Sequence, residues 1–141
     1  MPTPKLDLVG SWQYAKPVDQ YGQEVYDLEI REDSTFLLSH KLYGYMLDNT
    51  NDQLNQLTQF PGVAKVDGDS VDFVVDELIY TNFHQNLPPE RHPYTTPIFD
   101  QCRFTIKGDS LILNYLSYPL HLPEPTEFYF LRVDPSLIIS D

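Results

Sequence analysis

Apolar and polar residues alternate with a period of two from one end of the chain to the other, and this rhythm narrows the possible folds more than any other feature. Tyr26, Leu28 and Ile30 fall on one face of an extended segment, with Val25, Asp27, Glu29 and Arg31 on the opposite face. After Glu32-Asp33-Ser34 the rhythm resumes, with Phe36, Leu38, His40 and Leu42 set against Leu37, Ser39, Lys41 and Tyr43. Successive side chains of a strand point to opposite faces, so each segment reads as a half-buried strand and the two together as a hairpin. Two more hairpins follow, residues 62–66 with 71–80 around Asp67-Gly68-Asp69-Ser70, and residues 98–107 with 111–118 around Gly108-Asp109-Ser110. Gly reaches the positive φ of a tight turn, and Asp or Ser bonds the local backbone. Residues 8–15 and 126–133 complete about eight strands.

Composition points the same way. Only two alanines, Ala15 and Ala64, stand beside ten tyrosines, eight phenylalanines, nine threonines and 16 valines and isoleucines. Strong helix formers are scarce where β-branched and aromatic residues abound, which disfavours an all-α fold. With 141 residues, a single domain over 1–141 is expected, large enough to fold without disulfides or metal. A meander of about eight strands removes its exposed edges by closing, and its interior is then filled by side chains or holds one small ligand. The expectation is therefore an all-β, antiparallel, up-and-down barrel. A sandwich of two stacked sheets has the same alternation and stays open as an alternative.

Four stretches depart from the rhythm, one of them a break before the last strand bracketed by Pro119, Pro123 and Pro125. Residues 48–59 are rich in Asn, Gln and Asp, with Leu54 and Leu57 spaced for one helical face, and read as a loop carrying a short helix. Residues 81–97 hold Pro88, Pro89, Pro93 and Pro97 without periodicity and read as a long irregular loop suited to a lid. Residues 134–141 form a short tail whose Leu137, Ile138 and Ile139 are apolar enough to dock.

Nine Lys and Arg against 21 Asp and Glu give a net charge of -12, so no nucleic acid partner is expected, because phosphate contacts need clustered cations. An anionic bilayer is disfavoured for the same reason. No apolar run approaches the roughly 20 residues of a membrane-spanning helix, so no transmembrane segment is expected. No signal peptide is evident, which places the chain in the cytoplasm unless it is the mature part of an exported protein or lipoprotein. Cys102 is the only cysteine, which rules out a disulfide within one chain.

Against the barrel reading, Gly10-Ser11-Trp12 at the head of the first strand resembles the Gly-x-Trp signature that opens lipocalins. Arg132, in Phe128-Tyr129-Phe130-Leu131-Arg132 on the last strand, lies where lipocalins carry a basic residue over that tryptophan. In overall pattern the chain is similar to the small lipocalin-like domains of bacteria within the calycin group. The likeness lacks the Thr-Asp-Tyr type turn, the cysteines and the long helix after the barrel. It implies a ligand-holding or partner-binding barrel closed at one end by Trp12 and Arg132, and no particular chemistry.

Extrapolated alternation turns Tyr26, Phe36, Phe73, Phe104, Tyr115 and Phe128 inward, among Leu28, Ile30, Leu38, Val71, Cys102, Ile106, Leu111, Leu113 and Phe130. His40 and Glu77 interrupt this lining, and a polar group inside a barrel needs a partner, a water or a ligand. Together they would orient a polar ligand head while the aromatics hold its body. Two blander readings stay open: His40 sits at the rim or pairs with a tyrosine, and a bulge between Asp76 and Leu78 turns Glu77 to solvent. No nucleophile motif, phosphate loop or metal spacing is present, and His84, His92 and His121 match none. The expected function is non-catalytic binding of a small apolar or amphipathic molecule, with no cofactor and no metal. The alternative is an acidic interaction module, of inhibitor or immunity type, with a filled interior and a basic protein partner. A monomer or weak dimer is expected in either case.

Overall fold

The computed structural model describes residues 8–16, 22–44, 54–83, 85–96 and 98–133. Among these the alternating segments become ten strands: β1 (Gly10–Ala15), β2 (Gly22–Ile30), β3 (Thr35–Gly44), β4 (Leu54–Asp67), β5 (Ser70–Val75), β6 (Glu77–Asn82), β7 (Glu90–Pro93), β8 (Asp100–Lys107), β9 (Ser110–Ser117) and β10 (Glu124–Arg132). A 3-10 turn, Pro119–His121, leads into β10. Every pairing is antiparallel, and β3 joins β4 as well as β2. Eight strands, β1 to β5 and β8 to β10, therefore close into an up-and-down barrel, and β6 and β7 extend outward from β4. No helix among the described residues is long and apolar enough to cross a membrane.

The structure corrects the sequence reading in three places. Residues 54–59 are strand and not helix: they form the first half of β4, and residues 48–53 lie outside the described residues. Pairing with β3 on one side and β6 on the other outweighs the helical spacing of Leu54 and Leu57. The segment 71–80 is two strands, broken at Asp76. The proline-rich stretch 81–97 is also ordered in part, because β7 pairs with β6 from Tyr80↔Glu90 to Glu77↔Pro93. Pro93 is tolerated because β7 is an edge strand, with no neighbour beyond it among the described residues. The expected docking tail, 134–141, lies outside the described residues.

Pro61 explains how β4 serves two partners along one edge. Residues 62–67 pair with β5 and residues 56–59 with β6, so the partner changes at Pro61. The Pro61 carbonyl accepts the Asp76 N–H at 2.8 Å, which aims its backbone toward that junction. The N–H that proline lacks would point the same way, so no ladder bond to β3 is lost.

Tight turns gather at one end of the barrel, and there the interior is packed with large side chains. Trp12, Phe36 and Leu28 are fully buried, and Phe73 and Phe130 nearly so. The Trp12 indole N–H donates to the Leu8 carbonyl at 2.9 Å. Above the indole the Arg132 guanidinium carbon sits 4.1 Å from the ring centroid, and Nη1 donates to the Val9 carbonyl at 3.2 Å. A cation over an indole contributes roughly 0.5 to 2 kcal/mol. Gly10 has φ +148, and a Cβ there would lie 2.5 Å from Arg132 Nη1, so a side chain at this position would push the guanidinium off the ring.

Part of the outer face of β2 and β3 is buried too, at Val25, Asp27, Ser39 and Lys41, which alternation alone does not predict. Asp27 and Lys41 are each 3% exposed, and Asp27 Oδ2 lies 2.8 Å from Lys41 Nζ. Oδ2 has no hydrogen bond of regular angle, so this contact is ionic, while Gln13 Nε2 donates to Oδ1 at 2.8 Å. A buried charge left without its partner is destabilising, whereas replacing both by apolar groups often is not.

Two stability measurements check this description. Trp12→Ala is expected to lower the unfolding free energy by about 3 to 5 kcal/mol in urea titrations; a change within about 0.5 kcal/mol, typical of surface sites, would contradict the plug. Lys41→Met is expected to cost about 3 to 5 kcal/mol, and the Asp27→Leu/Lys41→Met double variant less than that single change.

Candidate functional site

The opposite end of the barrel carries a polar network in an aromatic setting. Register places Tyr14 of β1 beside Tyr26 of β2, and Tyr26 beside His40 of β3, all on the inner face. The Tyr26 and His40 rings stack at 4.4 Å, and Phe128 of β10 meets Tyr26 and Tyr14 edge-on at 5.0 and 5.2 Å. Glu24 precedes Tyr26 by two residues and so shares its face. Its Oε2 lies 2.5 Å from His40 Nε2 and accepts the Tyr26 hydroxyl at 3.2 Å. Its Oε1 lies 3.5 Å from Lys16 Nζ. The Glu24 and His40 side chains are 21% and 24% exposed, so solvent or a ligand reaches them.

The electrostatics follow from this geometry. Burial pushes the Glu24 carboxyl up, but the hydrogen bond and charge of His40, the Tyr26 hydroxyl and Lys16 together bring it below its ordinary value of 4.5. Burial, with the adjacent Glu24 charge and hydrogen bond, pushes the Tyr26 phenol up to about 12. The site therefore presents an ionised carboxylate and a neutral phenol across the physiological range.

A second feature reaches the inner wall from the segment before β8. Phe99, with φ 50, packs against Phe73, Tyr115 and Phe128 at 5.5, 5.0 and 6.0 Å. Left-handed backbone is unfavourable for a bulky side chain and persists only where surrounding contacts hold it. Gln101 shares the conformation with φ 51, and the β8–β9 register shifts between Asp100 and Arg103. Beside Phe99 a cleft of about 250 Å³ is lined by Thr96, Asp100, Tyr115, Leu116, Ser117 and Tyr118. The Tyr118 hydroxyl donates to Asp100 Oδ2 at 2.5 Å across its rim.

Of the residues expected to line a ligand site, Tyr26, His40 and Phe128 come together at this mouth. Phe73 and Tyr115 meet around Phe99, while Phe36 and Phe104 are buried in the core, Phe36 against Phe73 at 5.0 Å. Glu77 does not join them. The break at Asp76 starts a new strand, and on β6 Glu77 takes the Arg91 guanidinium of β7 at 2.7 Å, away from the lining. His92 pairs with Glu90 at 3.3 Å on β7, and His84 lies outside the described residues. Among the described residues no three His, Cys, Asp or Glu gather as a metal site would require. Cys102 is buried, and desolvation pushes its thiol up to about 12, which makes it inert.

Sequence reasoning missed Glu24, Tyr14 and Phe99. Extending the alternation of β2 back by two residues, or that of β1 past Trp12 by two, reveals the first pair. Phe99 had no such signal, because continuous alternation turns it outward and the backbone irregularity at 99–103 reverses it.

The network sets a pH dependence. Glu24 has a lowered pKa in the fold, so its contribution to stability is present above 4.5 and is lost as pH falls through the folded value. Tyr26 has a raised one, so its contribution is present below 10.0 and is lost as pH climbs toward about 12. Urea midpoints measured against pH are expected to show the acid-side loss in the parent protein and a smaller loss in Glu24→Gln; identical acid limbs would contradict the network. Comparison of the chain with known protein families, with curated proteins and with solved structures finds no match.

Proposed function

We propose that the barrel binds a small amphipathic molecule at this mouth without transforming it, in the manner of the small bacterial lipocalin-like domains of the calycin group. The observation that carries the reading is the Glu24–His40–Tyr26 network, partly exposed and set against Tyr14 and Phe128 on one inner face. Small-molecule sites divide their work in this way, a few polar groups fixing orientation and apolar walls supplying contact area. Gly10-Ser11-Trp12 and Arg132 support the family reading, since they meet as a plug at the far end. Phe99 lies along the inner wall that the ligand body would use, so entry moves its ring aside.

The alternative, an acidic interaction module, draws on one observation: Tyr129 and Leu131 stand 53% and 60% exposed on the outside of β10. Such a surface recognises a basic protein through its acids and places aromatic contacts at the centre.

Proton NMR separates the two. Titration with dodecyl amphiphiles is expected to shift the His40 and Tyr26 ring resonances and to leave the Trp12 indole N–H, hydrogen-bonded at the closed end, in place. Phe99→Ala is expected to tighten binding. A uniform absence of shifts, or shifts confined to Tyr129, would remove the mouth as a binding site.

A further inference from the structure

Resting on the reading of the mouth as a ligand site, we propose that the head group it takes is cationic: an alkyl or arylalkyl ammonium placed on Glu24 Oε1, where Lys16 now sits, with its body against Tyr14, Tyr26 and Phe128. The two carboxylate oxygens are unequally used. Oε2 is occupied by His40 Nε2 and the Tyr26 hydroxyl, whereas among the described residues Oε1 faces the Lys16 ammonium alone, at 3.5 Å. That distance is long for a charge-assisted hydrogen bond, and the Lys16 side chain is 56% exposed. Such a pair is held weakly and is exchanged for a better-placed cation at little loss. Lys16 is itself an alkyl ammonium, so the protein already displays the chemistry it would accept, tethered at the rim.

Three further properties favour this class over a fatty-acid-like anion. Glu24 stays ionised, with His40 and Tyr26 holding its charge against the effect of burial. An anionic head taking the place of Lys16 would face Oε1, a carboxylate oxygen that only accepts, and would gain no donor there. Tyr26, bonded to Oε2 through its hydroxyl, and Phe128, edge-on to it at 5.0 Å, supply the apolar contact that an alkyl or arylalkyl body needs beside the charge. The chain's net charge of -12 concentrates cations near its clefts and disfavours approach by anions.

Calorimetry on the full chain with dodecylamine, dodecanol and dodecanoate, each below its micelle-forming concentration, tests the proposal. Dodecylamine is expected to bind about ten- to a hundredfold more tightly than the other two, the range of one charge-assisted contact. Glu24→Gln is expected to abolish that preference. Lys16→Gln, a change at an exposed side chain, is expected to tighten dodecylamine several-fold by removing the competing ammonium, and it carries the test should Glu24→Gln fail to fold. Dodecanoate or dodecanol binding as tightly as the amine overturns the cationic head and leaves the mouth as a binding site. Amine preference that survives Glu24→Gln, or weakens in Lys16→Gln, overturns the assignment to Oε1. Failure of all three probes to bind overturns both this inference and the reading beneath it.

Discussion

The barrel depends on two short seams. Long ladders join β1 through β5 into one ribbon and β8 through β10 into another, but β1 meets β10 through only two register pairs and β5 meets β8 through two. Backbone pairing of that extent is too slight to hold a ring closed by itself, so side chains must bridge each seam. At the first, Trp12 and Arg132 lie across the junction, and the Val133 N–H reaches the Ser11 carbonyl at 2.9 Å. At the second, the Phe104 N–H bonds the Asp69 carbonyl at 2.8 Å, and the Phe99 ring meets Phe73. Closure is thus a property of the core, and the edges it removes would otherwise pair with other chains.

The same arrangement makes the two ends different. At the end that holds the tight turns 67–70 and 107–110, large apolar side chains are buried with Trp12, whose indole N–H bonds the Leu8 carbonyl while Arg132 bonds that of Val9. The other end takes the longer connections, and there the wall thins into partly buried aromatics interrupted by Glu24 and His40. A polar pair set in such a lining has meaning only with its satisfaction in view. Glu24 and His40 satisfy each other through Oε2, while Oε1 faces the Lys16 ammonium at 3.5 Å. A packed apolar end and a polar, partly exposed one are separate consequences of a single alternating pattern.

Much of this was legible in the residues. The inward set on β2, β3, β5, β8, β9 and β10 follows from period-two alternation, and Asp-Gly-Asp-Ser and Gly-Asp-Ser mark their turns correctly because turn chemistry is local. Where the reading departed, long-range pairing had decided. Leu54 and Leu57 look helical until β3 and β6 are seen on either side of them. Glu77 looks inward until Asp76 breaks the strand. Asp27 and Lys41 look like solvated charges, yet they form a buried pair on the barrel's outside. Half of the candidate site, Tyr26, His40 and Phe128, was visible; Glu24 needed the alternation carried two residues further, and Phe99 depends on left-handed backbone that no pattern announces.

Closure of the first strand against the last is the claim from which the plug, the mouth and the separation of the two ends all follow. Amide hydrogen exchange at Val133 tests it most directly, because that N–H donates across the seam to Ser11. A closed ring gives this amide protection well above that of an exposed chain end, lost together with that of the Trp12 indole N–H as the protein unfolds. Exchange at the rate of an unstructured peptide, with the Trp12 indole still protected, would mean that the ring is open.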